Sequence, residues 1–160
     1  GFNHREPGTV GAVFDESKVM AELICDGFHV HPAALRVAFK ILGEERVIIV
    51  SDAMRAAGMP DGQYMFGGQQ VDVSNGQARL INGTIAGSTT NLLSEVKNLV
   101  SYGLPFGQVI KAATLNPARA IGEEKRLGSI EAGKVADMIV LDGELNLKAV
   151  IKHGKFVYQG

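Results

Sequence analysis

Cysteine is almost absent from this sequence, and its scarcity limits the covalent chemistry open to the chain. The 160 residues include a single cysteine, Cys25, so no disulfide can form within the chain. Cys25 ends the apolar run Leu23-Ile24-Cys25, which is typical of a buried and unreactive thiol. We therefore predict that Cys25 belongs to the core and is not a nucleophile.

The sequence also lacks an excess of charge of either sign. Sixteen lysine and arginine residues are balanced by seventeen aspartate and glutamate residues, and the formal net charge is -1. No basic stripe interleaved with aromatic residues is present. The composition therefore argues against a nucleic-acid partner.

Long hydrophobic runs are missing as well, although hydrophobic residues make up 46% of the chain. That share is enough for a core, but no apolar run approaches the roughly 20 residues that span a membrane. The first residues, GFNHREPG, lack the charged and apolar regions of a signal peptide. The sequence predicts a cytoplasmic protein with no membrane partner.

Glycine is the residue type in clear excess, with 20 in the chain, whereas its usual share is about 7%. The glycines are dispersed as EPG, DG, LG, GG, NG and AGS, a pattern typical of tight turns between helices and strands. Neither GxGxxG nor GxxxxGKS/T occurs, and this argues against the common nucleotide-binding loops.

The stretch VIIVSDAM, residues 47–54, places a carboxylate directly after four β-branched residues. Such a run is typical of a strand buried on both faces of a parallel sheet, and α/β proteins place their chemistry just beyond the carboxyl ends of those strands. Asp52 holds that position. The pattern leaves a second interpretation open, in which Asp52 caps the next helix or forms a hydrogen bond in a turn.

The beginning of the chain predicts two strands joined by a helix. The apolar pattern indicates a strand over residues 18–25, a helix over 32–42 and a second strand over 47–50. A strand, helix and strand in this order form a parallel crossover unit. Because the carboxyl ends of the two strands then lie side by side, His29 and Asp52 are expected to be neighbours.

The middle of the chain alternates between β and helical patterns. Residues 62–82 predict a β-ribbon insertion, because short alternating segments are separated by Gly-Gly and Asn-Gly turns. Residues 88–102 and 105–114 predict helices, and a short helix is expected to follow Asn116.

The pattern from residue 128 to the end is again β, with three segments separated by glycine and asparagine. We predict a change of module near residue 127, with residues 1–127 and 128–160 as the two domain portions. Three strands cannot hide both of their faces, and together with two parallel strands they do not make a closed barrel or sandwich. The sequence is therefore expected to be the C-terminal part of a longer protein.

The candidates for chemistry are polar residues at the start of the chain and beyond two predicted strands, together with one glycine-rich turn: His4, Arg5, Glu6, His29, His31, Asp52 and residues 82–88. Several of them also have a structural explanation. His4 fits an exposed loop, Arg5-Glu6 fits a solvated charge pair, and His31 fits a hydrogen bond to a nearby backbone group.

The turn at 82–88 fits either a hairpin end that leads to a helix cap or a cradle of N–H groups for a substrate. The combination of candidates is more informative than any one of them. A histidine and a carboxylate at adjacent strand ends, with an arginine and an N–H-rich turn, suit the hydrolysis of a small anionic substrate.

Several short segments form a distinctive combination: HREPG at 4–8, CDGFHVHP at 25–32, VSDAM at 50–54 and NGTIAGS at 82–88. The tail, ATLNPARAIG followed by RLGSIEAGKVADMIVLD, is shared by a wider superfamily. Together these segments resemble the N-acetylglucosamine-6-phosphate deacetylase family of the amidohydrolase superfamily. The resemblance covers essentially the whole chain. It implies an α/β fold, with this sequence forming the C-terminal part of a TIM (β/α)8 barrel plus strands of a small β-sandwich.

The resemblance also implies roles for individual residues. It makes Asp52 the general base and acid, which takes a proton from a metal-bound water and returns it to the leaving amine. It makes His29 a ligand of the substrate's acetyl carbonyl, and Arg5 a ligand of the sugar phosphate that reaches across from a neighbouring subunit. The backbone that lines the sugar site is implied to come from Ile85, Ala86 and Gly87.

The family further implies a divalent metal, zinc in the complete enzyme, held by a glutamate and two histidines outside this chain. No metal ligand is expected within the 160 residues. The implied protein is a homodimer with a shared active site, which converts N-acetylglucosamine 6-phosphate to glucosamine 6-phosphate and acetate. The isolated chain is accordingly expected to be inactive.

Two other functions stay open at this point. The chain could be a non-catalytic fragment that acts as an oligomerisation or sugar-phosphate-binding module, which the missing metal ligands favour. It could also derive from a different amidohydrolase that acts on a cyclic amide, although HREPG would then have no purpose.

Overall fold

The computed structural model describes residues 1–160 and divides them into two compact units, Gly1–Ala113 and Thr114–Gly160. The division precedes the predicted change of module near residue 127. The first unit contains four helices and six strands: α1 (Gly8–Asp15), β1 (Ala21–Leu23), α2 (Pro32–Leu42), β2 (Val47–Ile49), β3 (Gly62–Phe66), β4 (Gln69–Ser74), β5 (Gln77–Leu80), β6 (Ile85–Ser88), α3 (Leu92–Ser101) and α4 (Phe106–Ala113).

The predicted parallel crossover is confirmed. β1 pairs with β2 in parallel, with Ala21 opposite Val47 and Leu23 opposite Ile49, although β1 is shorter than the predicted strand. Helix α2 begins where it was predicted, because His31 caps its first turn and Pro32 occupies the position at which a missing N–H does no harm. It ends before Gly43, whose φ of 70° lies in the left-handed region that favours glycine.

The core of this unit lies between the strand pair and helices α2, α3 and α4. Each of the three residues of β2 is buried, as expected for a strand covered on both faces. Helix α2 contributes the apolar face that its sequence period predicts. The largest apolar side chains buried completely in this core are Phe39, Leu35, Leu99, Val47 and Val109.

The predicted β-ribbon is a four-stranded antiparallel sheet in the order β3-β4-β5-β6. Its second turn is Asn75-Gly76, and both residues have positive φ, at 52° and 72°, which is the conformation that an Asn-Gly hairpin turn requires. A second, smaller core lies against this sheet. Its inward side chains, Val71, Val73, Ala78 and Ala86, pack against Met54 and Ala56, which follow β2.

Helix α1 is an element that the sequence analysis did not predict. Its glycines, Gly8 and Gly11, are poor helix formers and weaken the local signal. A distant residue stabilises its C-terminal end. The guanidinium of Arg46 donates to the carbonyls of Val13 (3.1 Å) and Phe14 (3.3 Å), which the helix end leaves without partners, and to that of the C-cap residue Glu16 (2.6 Å).

The second unit contains the short helix α5 (Leu115–Ala120) and a three-stranded antiparallel sheet of β7 (Met138–Leu141), β8 (Leu147–Lys152) and β9 (Lys155–Gln159). The three predicted β segments are therefore confirmed. Gly128 packs closely against the start of α5, since a Cβ at this position would lie 2.9 Å from the Thr114 carbonyl oxygen. No helix in the structure combines the length and the apolar character needed to cross a bilayer.

Candidate active site

Asp52 lies just beyond the carboxyl end of β2, in a backbone conformation that is unusual for a residue with a side chain. Its φ is 45°, and aspartate is one of the few residues that tolerate this region. The backbone around it is fixed by Ser88: the Ser88 N–H donates to the Asp52 carbonyl (2.9 Å), and the Met54 N–H donates to the Ser88 carbonyl (2.8 Å). A parallel bridge between Ala53 and Ser88 results.

The side chain of Asp52 takes neither of the structural roles that the sequence left open. No helix begins directly after it, and its carboxylate forms no hydrogen bond or ion pair. Asp52 is exposed at the strand end. Its conformation therefore presents an unpaired carboxylate at the edge where α/β proteins place their chemistry.

Gly87 allows this approach of β6 to Asp52. A Cβ on Gly87 would lie 3.1 Å from the Asp52 carbonyl oxygen, 3.2 Å from Cβ of Met54 and 3.8 Å from Oδ2 of Asp52. The first two distances are shorter than ordinary van der Waals contact. Glycine therefore brings the β6 backbone against both the backbone and the carboxylate of Asp52.

We expect Gly87→Ala to lower the free energy of unfolding by about 1–3 kcal/mol, because the added methyl group must push the Asp52 segment or β6 apart. Urea denaturation of the 160-residue chain measures this effect. Gly107→Ala is the matched control, since Gly107 lies in α4 with open space around its Cβ position. Equal stability of the two variants would show that Gly87 has room for a side chain.

Asp26 and His29 form a pair beyond the carboxyl end of β1. The Asp26 side chain is buried, and its Oδ1 accepts the N–H groups of Phe28 and His29, both at 2.9 Å. His29 Nδ1 lies 2.7 Å from Asp26 Oδ2. Burial raises the pKa of Asp26, but the hydrogen bonds from His29 and Phe28 outweigh it, and the pKa lies below its ordinary value.

An ionised Asp26 can only accept hydrogen bonds, so His29 donates from Nδ1 and its Nε2 is left for another partner. The sequence predicts that His29 and Asp52 are neighbours. They lie beyond the ends of adjacent strands, but no hydrogen bond or ion pair joins their side chains. His29 pairs with Asp26 because three residues of the same turn bring the two side chains together.

Sequence reasoning missed Glu95, whose side chain is completely buried in the first turn of α3. Glu95 Oε2 accepts the N–H of Cys25 (3.1 Å), and Oε1 accepts the hydroxyl of Thr90 (3.2 Å). Burial, the largest effect, raises the pKa of Glu95 to about 7. A signal was available, because Glu95 lies four residues before Leu99 and so shares the apolar face of α3.

Cys25 is fully buried, as predicted. Burial first, and then the charges of Glu95 and Asp26, raise the pKa of its thiol to about 12. The thiolate is therefore scarce at neutral pH, and Cys25 is an unreactive core residue.

The remaining candidates have separate environments. His31 Nδ1 accepts the N–H of Ala33 (3.2 Å), so its predicted role as a backbone partner is confirmed. His4, Arg5 and Glu6 are exposed, and no ion pair joins Arg5 to Glu6. The Arg5 guanidinium therefore has no partner within the chain.

The prediction of a single turn over residues 82–88 is wrong for its second half. Residues 82–84 turn, with Asn82 Oδ1 accepting the N–H of Thr84 (3.0 Å). Residues 85–88 form β6, because Ile85 pairs with Arg79 of β5 and Ser88 pairs with Ala53. Their backbone is therefore part of a sheet edge that runs beside Asp52.

A helix-covered pair of parallel strands, with polar side chains beyond both carboxyl ends, is the arrangement at which α/β proteins bind their ligands. The amidohydrolase family matches residues 4–157, and the chain belongs to this family. The amidohydrolase superfamily is generally metal-dependent.

Curated relatives name a narrower activity. The chain is 41% identical over 159 residues to an N-acetylglucosamine-6-phosphate deacetylase of Vibrio furnissii, with 99% of the chain and 40% of the relative covered. It is 40% identical over 156 residues to a putative N-acetylgalactosamine-6-phosphate deacetylase of Escherichia coli strain K12. In that case the match covers 97% of the chain and 93% of the relative. The chain thus spans about two fifths of one relative and nearly the full length of the other.

The chain is also similar to solved structures of deacetylases. The structure of an N-acetyl-D-glucosamine-6-phosphate deacetylase from Mycobacterium smegmatis, an Asp-to-Ala mutant in complex with N-acetyl-D-glucosamine-6-phosphate, has a TM-score of 0.92 and 38% identity. The match covers 98% of this chain and 42% of that one.

The residues of this chain do not fit a complete metal centre of their own. No group of three or more histidine, cysteine, aspartate and glutamate side chains is arranged so that it could hold a metal ion. At the candidate site, Asp26 is already paired with His29. The Asp52 carboxylate has no second carboxylate or histidine bonded to it.

Proposed function

We propose that this chain is the C-terminal portion of a deacetylase that hydrolyses N-acetylglucosamine 6-phosphate to glucosamine 6-phosphate and acetate. The observation that carries the proposal is the unpaired carboxylate of Asp52, presented at the carboxyl end of β2 and flanked by Gly87. Membership of the amidohydrolase family and the names of the relatives support the reaction and the substrate. The relative from Escherichia coli makes N-acetylgalactosamine 6-phosphate the first competing substrate to test.

Amide hydrolysis needs a group that moves a proton, because an amine leaves readily only when its nitrogen is protonated. In the proposed reaction Asp52 accepts a proton from the attacking water as the oxygen–carbon bond forms. Asp52 then delivers this proton to the nitrogen as the carbon–nitrogen bond breaks. An unpaired, exposed carboxylate is suited to both transfers, since no hydrogen bond within the chain has to break first.

His29 is proposed to bind the acetyl group. When the imidazole is protonated, Nδ1 donates to Asp26 and Nε2 can donate to the acetyl carbonyl oxygen. The carboxylate of Asp26 balances that positive charge. The pair therefore supplies a fixed donor at the strand end next to that of Asp52.

The phosphate and sugar sites are proposed from the same resemblance. Arg5, with its exposed guanidinium, is proposed to bind the phosphate of a substrate held by the neighbouring subunit of a homodimer. The backbone of Ile85, Ala86 and Gly87 is proposed to line the sugar site, which agrees with the position of Gly87 beside the Asp52 carboxylate.

The larger architecture is part of the proposal. Residues 1–127 are proposed as part of a (β/α)8 barrel that carries the β-ribbon, and residues 128–160 as strands of a small β-sandwich. We further propose that zinc is held by residues outside the 160. The cytoplasmic setting stays a prediction from the sequence.

The test is acetate release from N-acetylglucosamine 6-phosphate in the presence of zinc. Two preparations are compared: the 160-residue chain, and a fusion in which it follows the N-terminal part of the Vibrio furnissii deacetylase. We expect the fusion to release acetate and the chain alone to be inactive. A folded fusion that releases no acetate from either amino sugar phosphate would overturn the proposal.

Arg5→Ala is expected to raise the KM for the phosphorylated sugar about 10-fold or more with little change in kcat, because a charged hydrogen-bond partner of the phosphate is lost. Steady-state kinetics of the active preparation measures this. Arg36→Ala is the matched control, since Arg36 is an exposed arginine on α2. Equal use of the unphosphorylated sugar by the unmodified protein would contradict the phosphate assignment.

A second candidate function takes account of the chain's own side chains, which include no group of three or more that could hold a metal ion. Under that alternative the chain is a non-catalytic module that oligomerises or binds sugar phosphate. Titration of the 160-residue chain with N-acetylglucosamine 6-phosphate, followed by amide chemical shifts, distinguishes the two when it is combined with the activity of the fusion. Saturable shifts at Gly87 and His29 in the chain, together with a folded fusion that releases no acetate, would favour the binding module.

A further inference from the structure

We propose that Glu95 is a positioning residue, which fastens the segment carrying His29 and the segment carrying Asp52 to helix α3 through its two carboxylate oxygens. The inference rests on the proposed function, because positioning matters only if His29 and Asp52 act together on one substrate. Glu95 touches neither the candidate substrate site nor Asp52 directly.

The first arm of the network runs from Glu95 to His29. Glu95 Oε2 accepts the N–H of Cys25, the last residue before Asp26. Asn98, one turn further along α3, donates from Nδ2 to the Cys25 carbonyl (3.3 Å). Both polar groups of the Cys25 peptide are thereby bound to α3, and Asp26 holds His29 from this fixed point.

The second arm runs from Glu95 to Asp52. Glu95 Oε1 accepts the Thr90 hydroxyl, and Thr90 Oγ1 lies 2.8 Å from Ser88 Oγ. The Thr90 N–H also donates to Ser88 Oγ (3.1 Å). The backbone of Ser88 in turn holds the backbone of Asp52 and Met54, so the arm ends at the main chain of the residue whose carboxylate is proposed to move the proton.

The charge of Glu95 sets the direction of the hydrogen bonds in the second arm. Above pH 7, where the carboxylate of Glu95 is mostly ionised, it only accepts hydrogen bonds, so Thr90 donates its hydroxyl proton to Glu95. Thr90 Oγ1 is then the acceptor for the Ser88 hydroxyl, while Ser88 Oγ accepts the Thr90 N–H. Each polar atom of this arm has a partner, which is the condition for a rigid buried network.

Glutamine at position 95 would conserve shape but change this order. Its one carbonyl oxygen can accept the Cys25 N–H, but its NH2 group would then face Thr90 and donate to it. Thr90 would lose Glu95 as its acceptor and could donate only by reversing its hydrogen bond with Ser88 Oγ, which would take away the acceptor of the Ser88 hydroxyl. The Asp52 arm is therefore the arm that Glu95→Gln disturbs first.

Kinetics of the acetate-releasing preparation test the network with Glu95→Gln, Thr90→Val, Thr90→Ser and the double variant Glu95→Gln with Thr90→Val. We expect each of the two disruptive single changes to lower kcat about tenfold with KM nearly unchanged, because the proton-transfer group is displaced while the sugar contacts remain. Thr90→Ser keeps the hydroxyl and is expected to keep kcat. Losses in the double variant should not multiply, since both changes break one arm.

An unchanged kcat in Glu95→Gln, or losses that multiply in the double variant, would overturn the inference. Glu22→Gln is the matched control, because Glu22 is exposed on β1.

If no preparation releases acetate, amide chemical shifts of the 160-residue chain test the network without turnover. Thr90→Val should shift the amides of Cys25 and Asp52 together and Thr90→Ser should not; shifts at Asp52 without any at Cys25 would contradict a network through Glu95.

Discussion

Asp52→Asn is expected to reduce kcat for acetate release about a thousandfold in the active preparation, because general acid–base groups contribute about 100-fold to 10,000-fold to such reactions. The amide of asparagine has the same shape but cannot take a proton from water at neutral pH or return it to nitrogen. The KM should change little, since the proposed sugar and phosphate contacts lie on other residues. Steady-state kinetics of both proteins at one zinc concentration measures the loss.

The control for this experiment separates charge from chemistry. Asp72→Asn removes an exposed aspartate from β4 and should keep kcat. The stability of Asp52→Asn should equal or exceed that of the unmodified chain, since the carboxylate makes no hydrogen bond and lies in a left-handed conformation that asparagine also tolerates. Activity within tenfold of the unmodified protein would remove Asp52 from the proposed mechanism.

The parts of the fold that the sequence could predict are those with a strong local pattern. The apolar period and the flanking His31-Pro32 and Gly43 specify α2 to within a residue. The run of β-branched residues predicts the buried strand β2, and the Asn75-Gly76 turn predicts a hairpin. In each case the residues that decide the structure are neighbours in sequence.

The missed features depend on residues that are far apart in sequence. Helix α1 contains two glycines and is stabilised at its end by Arg46, about thirty residues away. Residues 82–88 predict a turn in place of β6, because the partners of β6, in β5 and at Ala53, cannot be recognised from these residues alone. Local propensity could not reveal either contact.

The candidate site divides in the same way. The positions of His29 and Asp52 beyond two parallel strands followed from the strand pattern. Their partners did not, because the Asp26 pair depends on the shape of a turn and the Glu95 network joins residues 70 positions apart. A glutamate on the apolar face of α3 was the one local sign of that network, since a charge is rarely buried without partners.

The stability of the 160-residue chain is expected to fall by about 2 kcal/mol as the pH rises from about 5 to about 8, because of Glu95 alone. Burial raises the pKa of Glu95 from its ordinary 4.5 to about 7 in the folded chain. Between these values the folded state binds the proton that the unfolded state has released. Folding is therefore favoured at the lower pH, and the advantage is lost as the pH rises through 7.

Urea denaturation across this pH range measures the slope, and Glu95→Gln should remove it, because an amide does not titrate. Glu22→Gln, at an exposed position, should leave the slope unchanged. The opposite trend expected of Asp26, whose pKa is lowered, belongs to a lower range, where stability is lost as the pH falls through the folded pKa. The same slope in both glutamine variants would show that Glu95 is not the group responsible.

The pH dependence also bears on why a glutamate occupies this position. At pH 8 the neutral amide of Glu95→Gln avoids the cost of burying an ionised carboxylate, and this gain offsets the hydrogen bonds that the change disrupts, so the stability should stay close to that of the unmodified chain. If the same change lowers kcat, activity depends on this residue more than stability does. A purely structural glutamate would lose both together, and the pair of measurements on this single variant therefore separates the two roles.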